Sequence, residues 1–108
     1  APCSMKTLAG IAGGYSQTLL ERAADVTIKE GRKLVLMPRE TPLSPIHLEN
    51  MLKLARIGVA IVPPMPAFYI KPQSILELVD HQVGKIIDRF GFQHRLFRRW
   101  GEDPSNPL

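Results

Sequence analysis

Two short apolar runs, KLVLM at 33–37 and VAIVPP at 59–64, constrain this chain more than any other feature. Neither alternates apolar with polar residues, so neither can lie with one face in water. Each reads as a strand of a parallel sheet covered on both faces. Segments of helical periodicity separate them. Met5 to Ile11 and Ser16 to Glu30 form two patterns interrupted at Gly13 and Gly14, and Gly31 closes the second. In that second pattern Leu19, Ala23 and Val26 recur at the spacing of a buried helical stripe. Ser44 followed by Pro45 supplies an N-cap and a first-turn proline for a helix through IHLENMLKLARI, which Gly58 ends. A last amphipathic helix opens at Gln73 or Ser74, with Ile75, Leu78, Val79, Val83, Ile86 and Ile87 apolar, and stops near Gly91. APCS at the start reads as the end of a further strand. Strand, helix, strand, helix, strand, helix is the pattern of an α/β fold: a parallel sheet with helices on both faces.

The chain is long enough for one compact α/β unit, at 108 residues with 44% hydrophobic content. Its net charge of +4 points to an anionic partner. The basic residues are not gathered in one block, and RLFRRW at 95–100 lacks the aromatic interleaving of a single-strand nucleic-acid groove. A phosphorylated small molecule fits better than nucleic acid. The single cysteine, Cys3, excludes an internal disulfide framework and a cysteine-cluster zinc site, and the chain reads as cytoplasmic. No apolar run approaches the roughly 20 residues that span a bilayer, so no membrane role is expected.

In open parallel sheets, ligands sit beyond the carboxyl ends of the strands. CSMKT, PRET and PPMPAFY each follow a strand, which predicts that Arg39 and Glu40 belong to a site at that edge. A surface ion pair between them is an equally good reading of position alone. SMKT, placed between a strand and a helix, offers backbone N–H groups, two hydroxyls and an ammonium, although it lacks the glycines of a phosphate loop. Arg22 and Lys29 lie seven residues apart, on nearly one helix face and about 10 Å apart along its axis. They suit a shared anion, but pairing with Glu21, Asp25 and Glu30 on a solvated face explains them more simply. His47 and His81 have no partner at metal-ligand spacing and read as structural, and no metal is expected. Cys3 reads as a packed strand-end residue whose pKa a helix N-terminus would lower. Tyr69 lies among prolines, suited either to placing a hydroxyl on a ligand or to packing.

Taken together, ERAADV, KEGRKLVL, PRETPL and IHLENML resemble the carboxyl-terminal part of the UbiX-type flavin prenyltransferases, including those encoded as B subunits of hydroxyarylic acid decarboxylases. The resemblance runs over nearly the whole chain. It implies a flavodoxin-like sheet, incomplete at its amino-terminal end, with a flavoprotein domain over 1–92 and a carboxyl-terminal tail over 93–108. It implies FMN as cofactor, held by Ser4, Met5, Lys6, Thr7 and Arg39. Arg22, Lys29, Tyr69 and Lys85 would hold the phosphate of dimethylallyl phosphate. Glu40 would carry protons, and Trp100 would pack against the ligand. Trimers building a dodecamer and a decarboxylase that uses prenylated FMN are the implied partners.

Two departures from the family pattern stand out. Lys85 replaces a common arginine, which keeps the charge but loses the bidentate fork. The family's first strand, its phosphate loop and a flavin-binding serine are expected upstream of Ala1. The main expectation is therefore part of an FMN prenyltransferase, one that binds FMN poorly and lacks activity without the upstream half. The alternatives are an accessory subunit that binds flavin without catalysing transfer, and a scaffold that keeps only the oligomer-forming surface.

Overall fold

The computed structural model describes residues 2–97. The chain divides into two compact units, residues 1–64 and 65–108. In the first unit β1 (Pro2–Cys3), β2 (Val35–Pro38) and β3 (Ala60–Ile61) form a parallel sheet in the order β1-β2-β3. Cys3 stands opposite Pro38, and Leu36 opposite Ile61. Each apolar run thus contains a strand, although the second contributes only Ala60–Ile61.

Helices α1 (Met5–Gly13) and α2 (Leu19–Lys29) connect β1 to β2, and α3 (Pro45–Arg56) connects β2 to β3. Each begins at a hydroxyl that accepts an otherwise orphaned backbone N–H: Ser4 from Thr7, Thr18 from Glu21, and Ser44 from His47. His47 returns the favour, its Nδ1 accepting from the Ser44 N–H at 3.1 Å. Its role in the described chain is therefore that of a cap. Gly14 ends α1 in the left-handed region, at φ 76°, and donates its N–H back to the last turn.

Met5, Leu8, Ile11 and Ala12 of α1 meet Ala24, Leu36, Leu54 and Val59 in the core of this unit. Leu8 and Leu54 are fully buried, each burial being worth about 2 kcal/mol or more. α1 packs against both α2 and α3.

α2 differs from its sequence reading in two ways. It starts at Leu19 rather than Ser16, because the Thr18 hydroxyl captures the Glu21 N–H and fixes the first turn there. Its buried face is also not the Leu19, Ala23, Val26 stripe. Leu19 is 84% exposed and Val26 54%, while Glu21 and Ala24 are buried and Ile28 packs against the core. The reason is the close approach of α1. A Cβ on Gly10 would sit 3.0 Å from the Glu21 carboxyl carbon, and the carboxylate itself accepts the Gln17 N–H at 3.1 Å. Small residues and a satisfied carboxylate meet there, where larger apolar side chains would not fit.

Among its described residues the second unit holds a 3-10 turn (Phe68–Ile70) and α4 (Ile75–Arg89), whose N-cap is Ser74, one of the two expected starts. Here too the apolar positions are not the buried ones. Ile75, Val79 and Val83 are exposed, whereas His81 and Gly84 are buried. Gly84 allows this because a Cβ at that position would overlap the Phe97 ring. The inner face of α4 is therefore chosen by an aromatic ring that needs a gap, not by the aliphatic stripe.

Candidate functional site

The parallel register of β1 and β2 puts two candidate segments side by side. Because Cys3 pairs with Pro38, the chain leaves β1 at Ser4 next to the point where it leaves β2 at Arg39. Ser4, Lys6 and Thr7 on one segment and Arg39 and Glu40 on the other share the carboxyl edge of the sheet, where parallel-sheet proteins hold ligands.

Ser4 Oγ accepts the Thr7 N–H at 3.1 Å and lies 3.2 Å from Thr7 Oγ1. The first-turn amides of Met5 and Lys6 have no acceptor within an α-helix, so they remain for a ligand oxygen. Lys6 is exposed beside them. The Met5 side chain, in contrast, belongs to the core at 7% exposure, leaving its backbone rather than its side chain at the edge. This donor set suits an acceptor-rich, anionic group such as a flavin nucleotide.

Arg39 and Glu40 follow β2 in an exposed loop that includes a cis Thr41–Pro42 peptide. Glu40 Oε1 accepts the N–H of Thr41 at 3.2 Å. Among the described residues no ion pair joins Glu40 to Arg39, so the reading of the two as a surface pair gains no support. The same holds for α2. Arg22 and Lys29 are exposed, and among the described residues neither is paired with Glu21, Asp25 or Glu30. Glu21 is buried and engaged with Gln17 instead.

Cys3 departs from expectation. Burial pushes its thiol pKa up, against a smaller opposing contribution from a hydrogen bond with the Met37 backbone. Desolvation of the sulfur, which disfavours the thiolate, is the largest influence on it.

In the second unit Tyr69 lies on the 3-10 turn, exposed, with its hydroxyl 3.3 Å from His81 Nε2. Lys85, one turn beyond His81, holds its ammonium 5.3 Å from the centre of the Phe97 ring. Tyr69 and Lys85 therefore gather around one buried histidine that sequence reasoning assigned only a structural part. The signal that could have found it was its spacing: His81 and Lys85 stand at i and i+4 on one helix. Trp100 lies outside the described residues. Among those residues no group of three metal-ligating side chains occurs, and no helix is long and apolar enough to cross a membrane.

Burial, and secondarily the Lys85 charge, lower the His81 pKa. A depressed histidine pKa means the unfolded chain binds the extra proton first. The stabilisation is whole above the unfolded value of about 6.5 and is lost as the pH falls from there through the folded value. Thermal melts between pH 8 and pH 5 should show this loss, and a His81→Gln variant should show a shallower one. Equal slopes in both proteins would remove His81 as the cause.

Fold and edge together define a flavodoxin-like protein whose strand ends present a helix N-terminus beside an arginine and a carboxylate. The chain belongs to the Flavoprotein family, whose model matches residues 1–88. It is 64% identical over 99 residues to a probable UbiX-like flavin prenyltransferase of Escherichia coli O157:H7, covering 92% of this chain and 50% of that protein. It is similar in structure to a dodecameric FMN-dependent UbiX-like decarboxylase from the same organism, with a TM-score of 0.88 and 64% identity over 92% of this chain and 54% of that one. AnUbiX (PadA1), solved in complex with FMN and dimethylallyl pyrophosphate, superposes with a TM-score of 0.90 at 54% identity, covering 94% of this chain and 54% of its own. The chain spans about half the length of the curated relatives it matches.

Proposed function

We propose that this chain is part of an FMN prenyltransferase that moves a dimethylallyl group from dimethylallyl phosphate to reduced FMN. The observation that carries the reading is the juxtaposition of the Ser4–Thr7 segment with Arg39 and Glu40 at one sheet edge. It occurs in a chain 64% identical to a probable flavin prenyltransferase. Ser4, Thr7, the backbone of Met5 and Lys6, and the Lys6 and Arg39 cations would hold FMN. Reduced FMN, when bound, supplies the nucleophilic nitrogen that accepts the allylic carbon.

The residues of this chain would supply the rest. Breaking the allylic C–O bond leaves its electron pair on the phosphate and positive charge on the allyl group. Fixed cations at the phosphate lower that barrier. Arg22, Lys29, Tyr69 and Lys85 are the residues that the family resemblance assigns to this phosphate. Glu40 would take the proton released as the new bonds form and pass it towards the departing phosphate. This requires a separation of about 3 Å or one intervening water. Trp100 would pack against the ligand. Arg22 and Lys29 are exposed and without an ion-pair partner among the described residues, which favours an enzyme over a flavin carrier, since a carrier needs no second phosphate cluster.

The dodecameric relative supports a homo-oligomer of the same kind for this chain, and a cytoplasmic decarboxylase that uses prenylated FMN is the proposed recipient. The test is direct. The protein, incubated anaerobically with reduced FMN and dimethylallyl phosphate, should yield flavin heavier by one dimethylallyl unit in mass spectrometry. Unmodified FMN after complete incubation, with bound FMN verified spectrally, would leave the carrier reading in its place.

A further inference from the structure

The Tyr69–His81 pair carries one step more. His81 is 4% exposed on the inner face of α4, and its two ring nitrogens have unlike surroundings. Nε2 lies 3.3 Å from the Tyr69 hydroxyl, whereas Nδ1 is buried and has no hydrogen-bond partner among the described residues. Tyr69 meets the imidazole edge-on, with ring centres 5.9 Å apart at 89°, and Phe97 leans on it at 4.8 Å. The ring is thus held between two aromatic groups.

We propose that His81 is a positioning residue for Tyr69, donating its Nε2 proton to the tyrosine oxygen so that the phenolic hydrogen is left for an oxygen of the substrate phosphate. A neutral imidazole carries one proton. On Nδ1 that proton would be a buried N–H with nothing to accept it, an arrangement folded proteins rarely tolerate. On Nε2 it has the Tyr69 oxygen. The buried ring and the neighbouring Lys85 ammonium both disfavour the doubly protonated form, which would also orphan the Nδ1 proton. Once its oxygen accepts from inside, the phenol, 62% exposed, can donate only outwards. Tyr69 then favours ligands that present acceptor oxygens, and phosphate is such a ligand.

This inference rests on the reading of Tyr69 as a phosphate contact, and two measurements separate the failure of one from that of the other. Nitrogen-15 spectra of the protein report the tautomer without any ligand. The expected result is a protonated Nε2 and a bare Nδ1; a protonated Nδ1 overturns the proposal. Titration of the FMN-loaded protein with dimethylallyl phosphate reports the consequence. His81→Phe should weaken the allylic phosphate roughly 5- to 10-fold, the size of one hydrogen bond, and leave FMN affinity unchanged. His81→Gln, whose amide N–H replaces the Nε2 donor, should recover most of the loss. In a Tyr69→Phe background the His81→Phe change should add nothing.

Equal losses for both ligands in His81→Phe, or failure of glutamine to rescue, would make His81 a packing residue and sink the proposal. If Tyr69→Phe itself leaves the allylic phosphate untouched, the phosphate assignment of Tyr69 is wrong, and the ligand-directed half of the proposal goes with it. The spectra alone would then decide whether the hydrogen bond exists.

Discussion

Glu40→Gln is expected to slow prenyl transfer by roughly 100-fold or more, the range for a positioned proton carrier, while FMN binding stays close to that of the parent protein. The amide keeps the shape of the side chain, and its oxygen can still accept the Thr41 N–H that Glu40 accepts at 3.2 Å. Local structure should therefore survive, and the change isolates the proton. Single-turnover absorbance of the flavin after mixing with dimethylallyl phosphate is the measurement. An unchanged rate would leave Glu40 as a loop carboxylate with a purely local hydrogen bond.

The second large effect belongs to α2. Lys29→Ala should weaken dimethylallyl phosphate by about 1.5–3 kcal/mol, the value of one charge-assisted contact, without weakening FMN. Arg22→Ala should behave likewise. The prediction is sharp because both side chains are exposed and without ion-pair partners among the described residues, so removing either breaks no internal contact of that kind. Calorimetric titration of the FMN-loaded protein decides it. Equal losses for FMN and the allylic phosphate would show that the helix face is structural and would withdraw the substrate assignment.

Where the candidate residues fall in the fold was largely legible, because that depends on local sequence. A serine before a helical pattern, as at Ser4, Ser44 and Ser74, caps that helix whatever surrounds it, since the N–H groups it satisfies are its own neighbours. Runs without alternation, as in KLVLM, are buried on both faces wherever they occur. From these two facts alone Ser4 and Arg39 fall just past strand ends. The roles given to Ser4 through Thr7, Arg22, Lys29, Arg39, Glu40, Tyr69 and Lys85 came instead from resemblance, because no spacing rule says which anion a cation meets.

The faces of the helices were not legible. Leu19, Val26, Ile75, Val79 and Val83 look like core residues by periodicity, yet all are exposed here, while Glu21, His81 and Gly84 are buried. Periodicity tells that a helix has an apolar face; it does not tell which face a neighbour approaches or how closely. That is decided where Gly10 admits the Glu21 carboxylate and where Gly84 admits the Phe97 ring, contacts between residues distant in sequence.

The sequence by itself determined the succession of strands and helices along the chain, the serine cap at Ser44 and the strand-end positions of Ser4, Arg39 and Glu40. All of these follow from interactions within a few residues. Only the tertiary structure decided that Cys3 stands opposite Pro38, bringing the two strand ends together, and that burial raises rather than lowers the pKa of that cysteine. It alone set His81 against Tyr69 with one ring nitrogen paired and the other orphaned. Register, desolvation and tautomer depend on which distant groups displace water from a side chain, and a sequence read along its length holds no measure of that.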